Sequence, residues 1–454
     1  MKVLFIIPRS LNPKQMYKEY PLGVGLIGTS LKNRGVQVSI FDQNVEGGNE
    51  QDVLNLVRKF VPDIIGFSLM TPNYPVAKSL IRNIKIEFSN ILIISGGIHT
   101  TIFPKDLLID GSDIAVCGEG VQSMLHIVDY FQKKISFDKL PGVTKTDMGY
   151  ILKLNNSIYP QNNIQKYYID RSLFNLNKYT HHSMFGSIGC PFNCFFCCNY
   201  SGTILKKGLK IRQYQDIINE IIYLRDSYNA KQIFFVDDIF LINKYENKKF
   251  CTEMIKRKIN MSWIAQMRAN AIDYDLASLM AEAGCLRIYF GVESGSDQIL
   301  KSSAKGLSTK EIRKGIKATQ KAGIRVKTGW IYGLPGTIEE QYASLKFMLE
   351  LLPNEISIHT LIPFPGTEYY INSHKYGIRI IDKKNFKSFC YGGIDDNISF
   401  DYLQKSDLLK LYEITEQELE KSGYINSDLV TDPSEKYVYT TPFTSKTLSV
   451  FSKK

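Results

Sequence analysis

The first 130 residues alternate short, continuously apolar runs with longer stretches of helical periodicity. KVLFIIP reads as a strand, and the stretch from Leu22 to Asn33 as a helix with Gly35 just past its end. QVSIFD is a second strand. A helix from Val53 to Phe60 follows, and Pro62-Asp63 leads into the strand IIGFSL. A helix from Val76 to Glu87 then precedes the strands ILIISGG and DIAVCGEG. Strands without polar alternation are those covered by helices on both faces. The pattern predicts a doubly wound α/β domain with a parallel sheet. Such sheets bind ligands beyond the carboxyl ends of their strands. Glycines and small polar residues gather at those ends, at Ser68, Ser95-Gly96-Gly97 and Gly118-Glu119-Gly120.

Residues 131–180 are polar and rich in Asn, Lys and Tyr, and read as a connection with a small hairpin around GYILKL. A second α/β series follows. Its strands are MFGSIG, QIFFVDD, SWIAQM, RIYFGVES, RVKTGWIY and EISIHTLIP, with helical patterns between them, such as those from Gln213 to Tyr228, Lys310 to Ala322 and Glu339 to Leu351. Six βα units predict a partial barrel; a full (βα)₈ barrel needs two more. Beyond about 380 the alternation fades into one or two helices from Asp401 to Lys421, and from Asp432 into a polar, loosely held tail. The expected division is 1–140, a linker 141–180, a barrel 181–380 and a mostly helical segment 381–454.

A chain of 454 residues can bury a sizeable core. Its 44% hydrophobic and 22% charged residues exclude a disordered or fibrous protein. The net charge of +11 is spread along the chain rather than clustered, so it reads as diffuse surface charge and no nucleic-acid partner is expected. MKVLFIIPRS is followed at once by polar residues, no apolar run approaches the roughly 20 needed to span a membrane, and a cytoplasmic protein is expected. In a reducing compartment the cysteine pattern changes the picture. Four of the eight, Cys190, Cys194, Cys197 and Cys198, fall within nine positions. Such a cluster points to metal or catalysis before disulfides.

Cys190, Cys194 and Cys197 can wrap one face of a cubane cluster from a single loop. Thiolates suit iron–sulfur, and a fourth iron without a protein ligand stays open for chemistry. Zinc competes, but a structural zinc needs four ligands, usually from paired elements far apart in sequence. Cys198 cannot easily join, because adjacent side chains point in different directions. The plain alternative is a set of buried cysteines on an apolar strand. Placement favours the cluster, because the loop follows the first strand of the barrel series, at the face where barrel active sites lie.

CPFNCFFC resembles the CxxxCxxC loop of the radical S-adenosylmethionine (radical SAM) superfamily. The resemblance implies that Cys190, Cys194 and Cys197 hold a 4Fe–4S cluster whose open iron binds SAM and reduces it to a 5′-deoxyadenosyl radical. Other segments match in order: FFVDDIFLIN with Asp237-Asp238, the third-strand end with Gln266 and Arg268, GVESGS with Glu293 and Ser294, GWIYGLPGT, and LIPFPGTEYY. Phe196, Asp237, Gln266, Arg268, Glu293, Ser294 and Tyr332 are the SAM-facing residues it implies. The match spans roughly 180–370 and is specific as a set.

The N-terminal segments PLGVGLIGTSLKNRG, IIGFSLMT, SGGIHTTIFP and CGEG resemble the Rossmann-like cobalamin-binding domain that precedes some radical SAM barrels. The contacts this implies are Pro21, Leu22, Gly23, Ser68, Leu69, Met70, Ser95, Gly96, Gly97, Gly118, Glu119 and Gly120. The Asp-x-His-x-x-Gly motif of cobalamin mutases is absent, and His99 takes an ordinary position, as in the radical SAM branch. Methylthiotransferases acting on transfer RNA carry three further N-terminal cysteines; residues 1–150 hold only Cys117. His126, His181, His182, His359 and His374 form no metal spacing, and His359 is expected either to face the substrate or to pack in the core.

The resemblance implies a cobalamin-dependent radical SAM enzyme that methylates an unactivated carbon through methylcobalamin and a 5′-deoxyadenosyl radical. The alternatives are a non-methylating cyclase or rearrangement enzyme and a non-catalytic cobalamin or redox sensor. A small-molecule or peptide substrate and an external low-potential reductant of the flavodoxin or ferredoxin type are the implied partners. Nothing in the sequence names the substrate.

Overall fold

A computed structural model describes residues 1–10, 19–140, 143–147, 150–151, 168–179, 181–198, 209–241, 243–390, 395–429 and 437–442. The described residues fall into two compact units, one drawn from Met1–Ser183 and the other from the residues after it.

The first unit is built on β1 (Lys2–Ile7), β2 (Gln37–Asp42), β3 (Ile64–Ser68), β4 (Leu92–Gly96), β5 (Ile114–Val116), β6 (Val143–Asp147) and β7 (Tyr150–Ile151), ordered β2-β1-β3-β4-β5-β6-β7. The first five pair in parallel. Val3, Leu4 and Ile6 of β1 are wholly buried, as a strand with helices on both faces requires. The helix Glu50–Phe60 starts at a capping box between Asn49 and Asp52 and stops where Val61 turns left-handed. The order 2-1-3-4-5 places the switch point between β1 and β3, where ligands of such sheets bind. The hairpin expected near GYILKL is the antiparallel pair β6–β7. It is not part of a free linker, because β6 pairs with β5 and extends the first sheet. Residues 148–149 and 152–167 lie outside the description.

The strand β8 (His182–Met184) runs into the second unit, which contains β9 (Ser187–Ile188), β10 (Lys210–Ile211), β11 (Gln232–Phe235), β12 (Ser262–Met267), β13 (Cys285–Glu293), β14 (Arg325–Tyr332) and β15 (Glu355–Thr360). β16 (Ile378–Ile380) and β17 (Ile398–Phe400) form an antiparallel pair. β18 (Ile425–Asn426) and β19 (Val438–Thr440) join the large sheet, whose order is β18-β19-β15-β14-β13-β12-β11-β8. The barrel strands are β8 and β11 to β15, and β11 to β15 pair in parallel. The first differs from the expected MFGSIG, because only Met184 belongs to β8 and Ser187–Ile188 form β9, antiparallel to β10. The C-terminal segment differs from the expectation of helix and tail alone. Its helix, Lys405–Lys421, is followed by β18 and β19, which extend the sheet in parallel from β15. Residues 432–436 and 443–454 of the expected tail lie outside the description.

Alternation along the strands gives this sheet two unlike faces. Ile288, Phe290 and Val292 of β13, and Val326, Thr328 and Trp330 of β14, are completely buried on the helix side, where Ile312, Ile316, Met348 and Leu351 are buried with them. Arg287, Tyr289, Gly291, Lys327, Gly329 and His359 occupy the opposite, inner face. Among the described residues no helix is long and apolar enough to cross a membrane.

Gly315, in the helix Thr309–Lys321, lets that helix close on the turn just after Arg268. A Cβ there would lie 2.0 Å from the Ala269 carbonyl oxygen. An ordinary Gly→Ala change inside a helix gains roughly 1 kcal/mol. Gly315→Ala should instead cost about 1–3 kcal/mol through overpacking. Denaturant titration measures this, and a stabilised variant would refute the close approach.

Candidate functional site

The cysteine loop leaves β9 through Gly189, whose φ of 92° suits glycine. Its start is held by Asp237, which follows β11. The Asp237 carboxylate accepts from the Gly186 amide at 2.9 Å and the Ser187 hydroxyl at 2.5 Å. Further along, the Phe195 amide donates to the Ser303 carbonyl at 3.0 Å, and the Tyr369 amide to the Phe195 carbonyl at 3.2 Å. The Tyr369 hydroxyl closes this triangle on Ser303 Oγ at 2.8 Å.

Arg268, at the end of β12, stacks its guanidinium 3.7 Å over the Phe192 ring. It donates to the Gly306 carbonyl at 2.7 Å and to that of Lys305. Its charge acts on Cys190 and Cys194. Burial raises the Cys190 thiol, Asp238 and Cys194 raise it further, and Arg268 opposes them. Metal-binding thiols must lose their protons, so a cation beside two of the three favours the ligand form. Cys194 is half-buried and Cys197 exposed. Among the described residues no three His, Cys, Asp or Glu side chains gather around a single ion. The donor set and its electrostatics fit a thiolate-held iron–sulfur cluster.

Glu293 ends β13 after a register shift and holds a left-handed φ of 70°. That is costly for a residue with a Cβ, and such strain gathers at ligand sites. Its carboxylate pairs with Lys305 at 2.9 Å, largely out of solvent. Lys305 also lies 5.9 Å from the Phe196 ring centroid. Gln266 is half-buried on the inner face, beside Tyr289 in register. These side chains stand with Arg268 at the carboxyl ends of the barrel strands.

Three expected SAM-facing residues are placed otherwise. Asp237 is buried and spends its carboxylate on the loop start. Ser294 is buried and accepts from the Ser296 amide at 3.1 Å, closing a turn. Tyr332 shares the parity of Thr328 and Trp330, so it points to the helix side. There its hydroxyl lies 2.8 Å from Thr415 Oγ1 of the helix Lys405–Lys421. Lys305, Ser303 and Phe192 escaped the sequence reading. Lys305 and Ser303 sit in a polar turn that carries no pattern of its own.

In the first unit, Ser68, Gly96, Gly97 and Gly118–Gly120 lie at the carboxyl ends of β3, β4 and β5, and Pro21–Gly23 open the first helix. Gly97 is exposed with φ 95°, and a Cβ there would meet the Leu69 carbonyl oxygen at 2.5 Å. The two segments can touch only because residue 97 has no side chain. Met70 is exposed. Glu119 caps its helix, accepting from Val121 and Gln122 amides at 2.7 and 2.9 Å. Two expected contacts are interior instead: Leu69 is buried, and Ser95 is wholly buried with its hydroxyl 2.7 Å from Ser112 Oγ. His99 is also interior. It stacks on Tyr74 at 4.2 Å, and its Nδ1 lies 3.2 Å from Thr71 Oγ1. Burial holds this imidazole neutral, with a pKa of about 3.

The profile of the B12 binding domain matches residues 14–128, and that of the radical SAM superfamily matches residues 184–348. The chain is a radical SAM protein with a B12 binding domain. The first match contains every strand-end residue named above for that unit. The second contains the three cysteines with Phe196, Gln266, Arg268 and Glu293. An uncharacterized methyltransferase of Pyrococcus horikoshii is 28% identical over 82% of this chain and 82% of its own length. Cytidylyl-2-hydroxyethylphosphonate methyltransferase of Streptomyces wedmorensis is 25% identical over 77% of each. The solved structure of the radical S-adenosylmethionine methyltransferase TsrM from Kitasatospora setae, with cobalamin and a 4Fe–4S cluster bound, has a TM-score of 0.68 at 16% identity. It covers 83% of this chain and 79% of that one, and the likeness is one of fold.

Burial lifts Asp237 from 3.8 to about 7, against the hydrogen bonds that lower it. Between those values the folded radical SAM unit keeps a proton that the unfolded chain has released. This contribution to stability is therefore present at low pH and lost as pH rises through 7. Asp237→Asn removes the titration. The stability difference between about pH 5 and pH 8 should narrow in the variant, as read by urea denaturation at both values. An unchanged difference would show that Asp237 does not carry the term.

Proposed function

We propose that this chain is a cobalamin-dependent radical SAM methyltransferase acting on an unactivated carbon of a small-molecule or peptide substrate. One observation carries the reading. A B12 binding domain and a radical SAM domain occupy one chain that aligns along most of the length of proteins named as methyltransferases. Cys190, Cys194 and Cys197 would hold the cluster. Phe196, Gln266, Arg268 and Glu293 would face SAM. Pro21–Gly23, Ser68, Met70, Gly96, Gly97 and Gly118–Gly120 would line the cobalamin.

When bound, the cluster and SAM supply a hydrogen-abstracting radical, and cobalamin supplies a methyl carrier. The chain's own residues then do what its geometry allows. Arg268 holds negative charge near Cys190 and Cys194 in place. The Phe195–Ser303–Tyr369 bonds keep the loop at the strand ends. Glycines at strand ends let backbone approach a flat ligand closely. His99 stays inside the first unit, so its imidazole is not offered at the strand ends. Electrons come from an external low-potential reductant of the flavodoxin or ferredoxin type.

Cys190→Ala, Cys194→Ala and Cys197→Ala should each abolish the brown chromophore and the formation of 5′-deoxyadenosine after anaerobic reconstitution, whereas Cys198→Ala should abolish neither. Retained SAM cleavage in the Cys194 variant would sink the assignment. The Co(II) form of bound cobalamin should give an electron paramagnetic resonance spectrum without nitrogen splitting; nitrogen splitting would mean that a histidine ligates cobalt. With the true substrate, S-adenosylhomocysteine and 5′-deoxyadenosine should form in near-equal amounts, with a product heavier by one methylene. If 5′-deoxyadenosine forms without S-adenosylhomocysteine or mass gain, a radical rearrangement takes the place of methylation.

A further inference from the structure

The inner face of β13, β14 and β15 carries a concentration of positive charge that the site above does not use. Cross-strand register sets Gln266, Tyr289, Lys327 and Glu355 side by side on consecutive strands. Arg287 reaches the same Glu355 carboxylate from β13, with both oxygens 3.1 Å from its Nη1. Arg325 and Lys327 approach that carboxylate only at 3.7 and 3.8 Å. Glu355 is therefore committed to Arg287, and Lys327 stands at the edge of an ion pair that is already made.

Lys327 is neither a surface lysine nor a core one. Its side chain is a third exposed, yet burial depresses its ammonium; the Glu355 carboxylate at 3.8 Å opposes that shift and Arg287 adds to it. Its ammonium is thus partly in water and partly against protein. Hydrogen-bonding groups stand around it. The Tyr289 ring lies 6.0 Å from Lys327 Nζ. Gly329, two residues along β14, lies under the Tyr289 phenol, where a Cβ would come within 2.0 Å of the hydroxyl. On β15, His359 Nε2 lies 3.0 Å from Ser357 Oγ, and both Glu293 and Lys327 act on that imidazole. A cation beside hydroxyl and imidazole groups on one face, with the nearest carboxylate bonded directly to Arg287 and only loosely to the lysine, can receive an oxyanion.

We propose that Lys327, with Tyr289, Ser357 and His359 around it, binds an anionic oxygen group of the substrate, phosphoryl or carboxylate, on the inner face of the barrel. The inference rests on the reading above in one respect only, that the barrel's inner face receives the substrate. The anion would anchor one end of the substrate and leave a carbon toward the strand ends, where Glu293 and Arg268 stand. The substrate class is thus an anionic small molecule or an acidic peptide.

The test uses the full chain with its cluster reconstituted and SAM present, titrated calorimetrically with inorganic phosphate and, separately, with acetate. At least one should bind, and Lys327→Met should weaken it about tenfold or more, while Lys327→Arg stays within about threefold. Ser357→Asp, which adds a carboxylate to the same face and leaves the lysine in place, should weaken it to a similar degree; this covers the case in which Lys327→Met does not fold. Phosphate binding alone would assign a phosphoryl group, and acetate binding alone a carboxylate. Anion affinity unmoved by both substitutions would overturn the proposal. So would a loss of SAM affinity in Lys327→Met without any anion binding by the wild type, because the cation would then serve the cofactor. Lys327-dependent anion binding in a wild-type chain that makes no 5′-deoxyadenosine would support the anion site and count against the radical SAM chemistry.

Discussion

The second unit turns on one buried carboxylate. An isolated charge in the interior is costly unless hydrogen bonds compensate it. Asp237 draws the Gly186 amide and the Ser187 hydroxyl onto itself, which offsets part of that cost; burial still outweighs them, and the group keeps its proton up to about pH 7. The residues that start the cysteine loop are therefore fixed against the end of β11. From the other side Arg212, buried and paired with Glu220 at 2.6 Å, donates to the Phe185 carbonyl at 2.9 Å. A buried carboxyl group and a buried guanidinium from different elements thus hold three consecutive residues, Phe185, Gly186 and Ser187. Movement there would displace every thiol, because Cys190 follows Gly186 by only four positions.

Charge is ordered along the inner side of the barrel. Arg268 and the Glu293–Lys305 pair stand at the strand ends, and Lys327 with the Arg287–Glu355 pair lies toward the strand starts. The helix side of the same strands is apolar and wholly buried. This separation follows from the pleat, since successive residues point to opposite faces. A radical reaction needs such an arrangement: an apolar shell that excludes water, and a few polar groups that orient what is bound. Gly291 and Gly329, paired across β13 and β14, leave the room that the Glu293 carboxylate and the Tyr289 phenol occupy between the two charged levels.

The first unit uses backbone rather than side chains at its strand ends. Gly97 allows contact with Leu69, Gly118 receives its own support from Thr101 Oγ1 at 3.0 Å, and Glu119 is occupied with its helix. The polar residues nearest these turns, Ser95 and His99, face inward and tie the sheet to its helices. A flat ligand can approach a rim of backbone closely, and the His99 imidazole packs inside it against Tyr74.

Much of this protein is local and therefore legible along the chain. Continuous apolar runs mark strands covered on both sides, glycine clusters mark their carboxyl ends, and three cysteines within eight positions define their own loop. Those features need no knowledge of neighbours. The rest depended on parity and long-range register. Tyr332 and Ser294 lie inside matching motifs, but a half-turn of the pleat or a bulge decides which face a side chain joins, and both joined the packed side. Asp237 read as a ligand-facing carboxylate because a motif does not show which groups donate hydrogen bonds to it. β18 and β19, two and three residues long, are too short to leave a periodic trace. Lys327 meets Glu355 and Tyr289 only when three strands align, and Arg287 is 68 residues from the carboxylate it holds. The sequence by itself determined which chemical groups and which strands the chain possesses. Tertiary structure decided which groups share a face, because that depends on pairing between segments that carry no mark of each other.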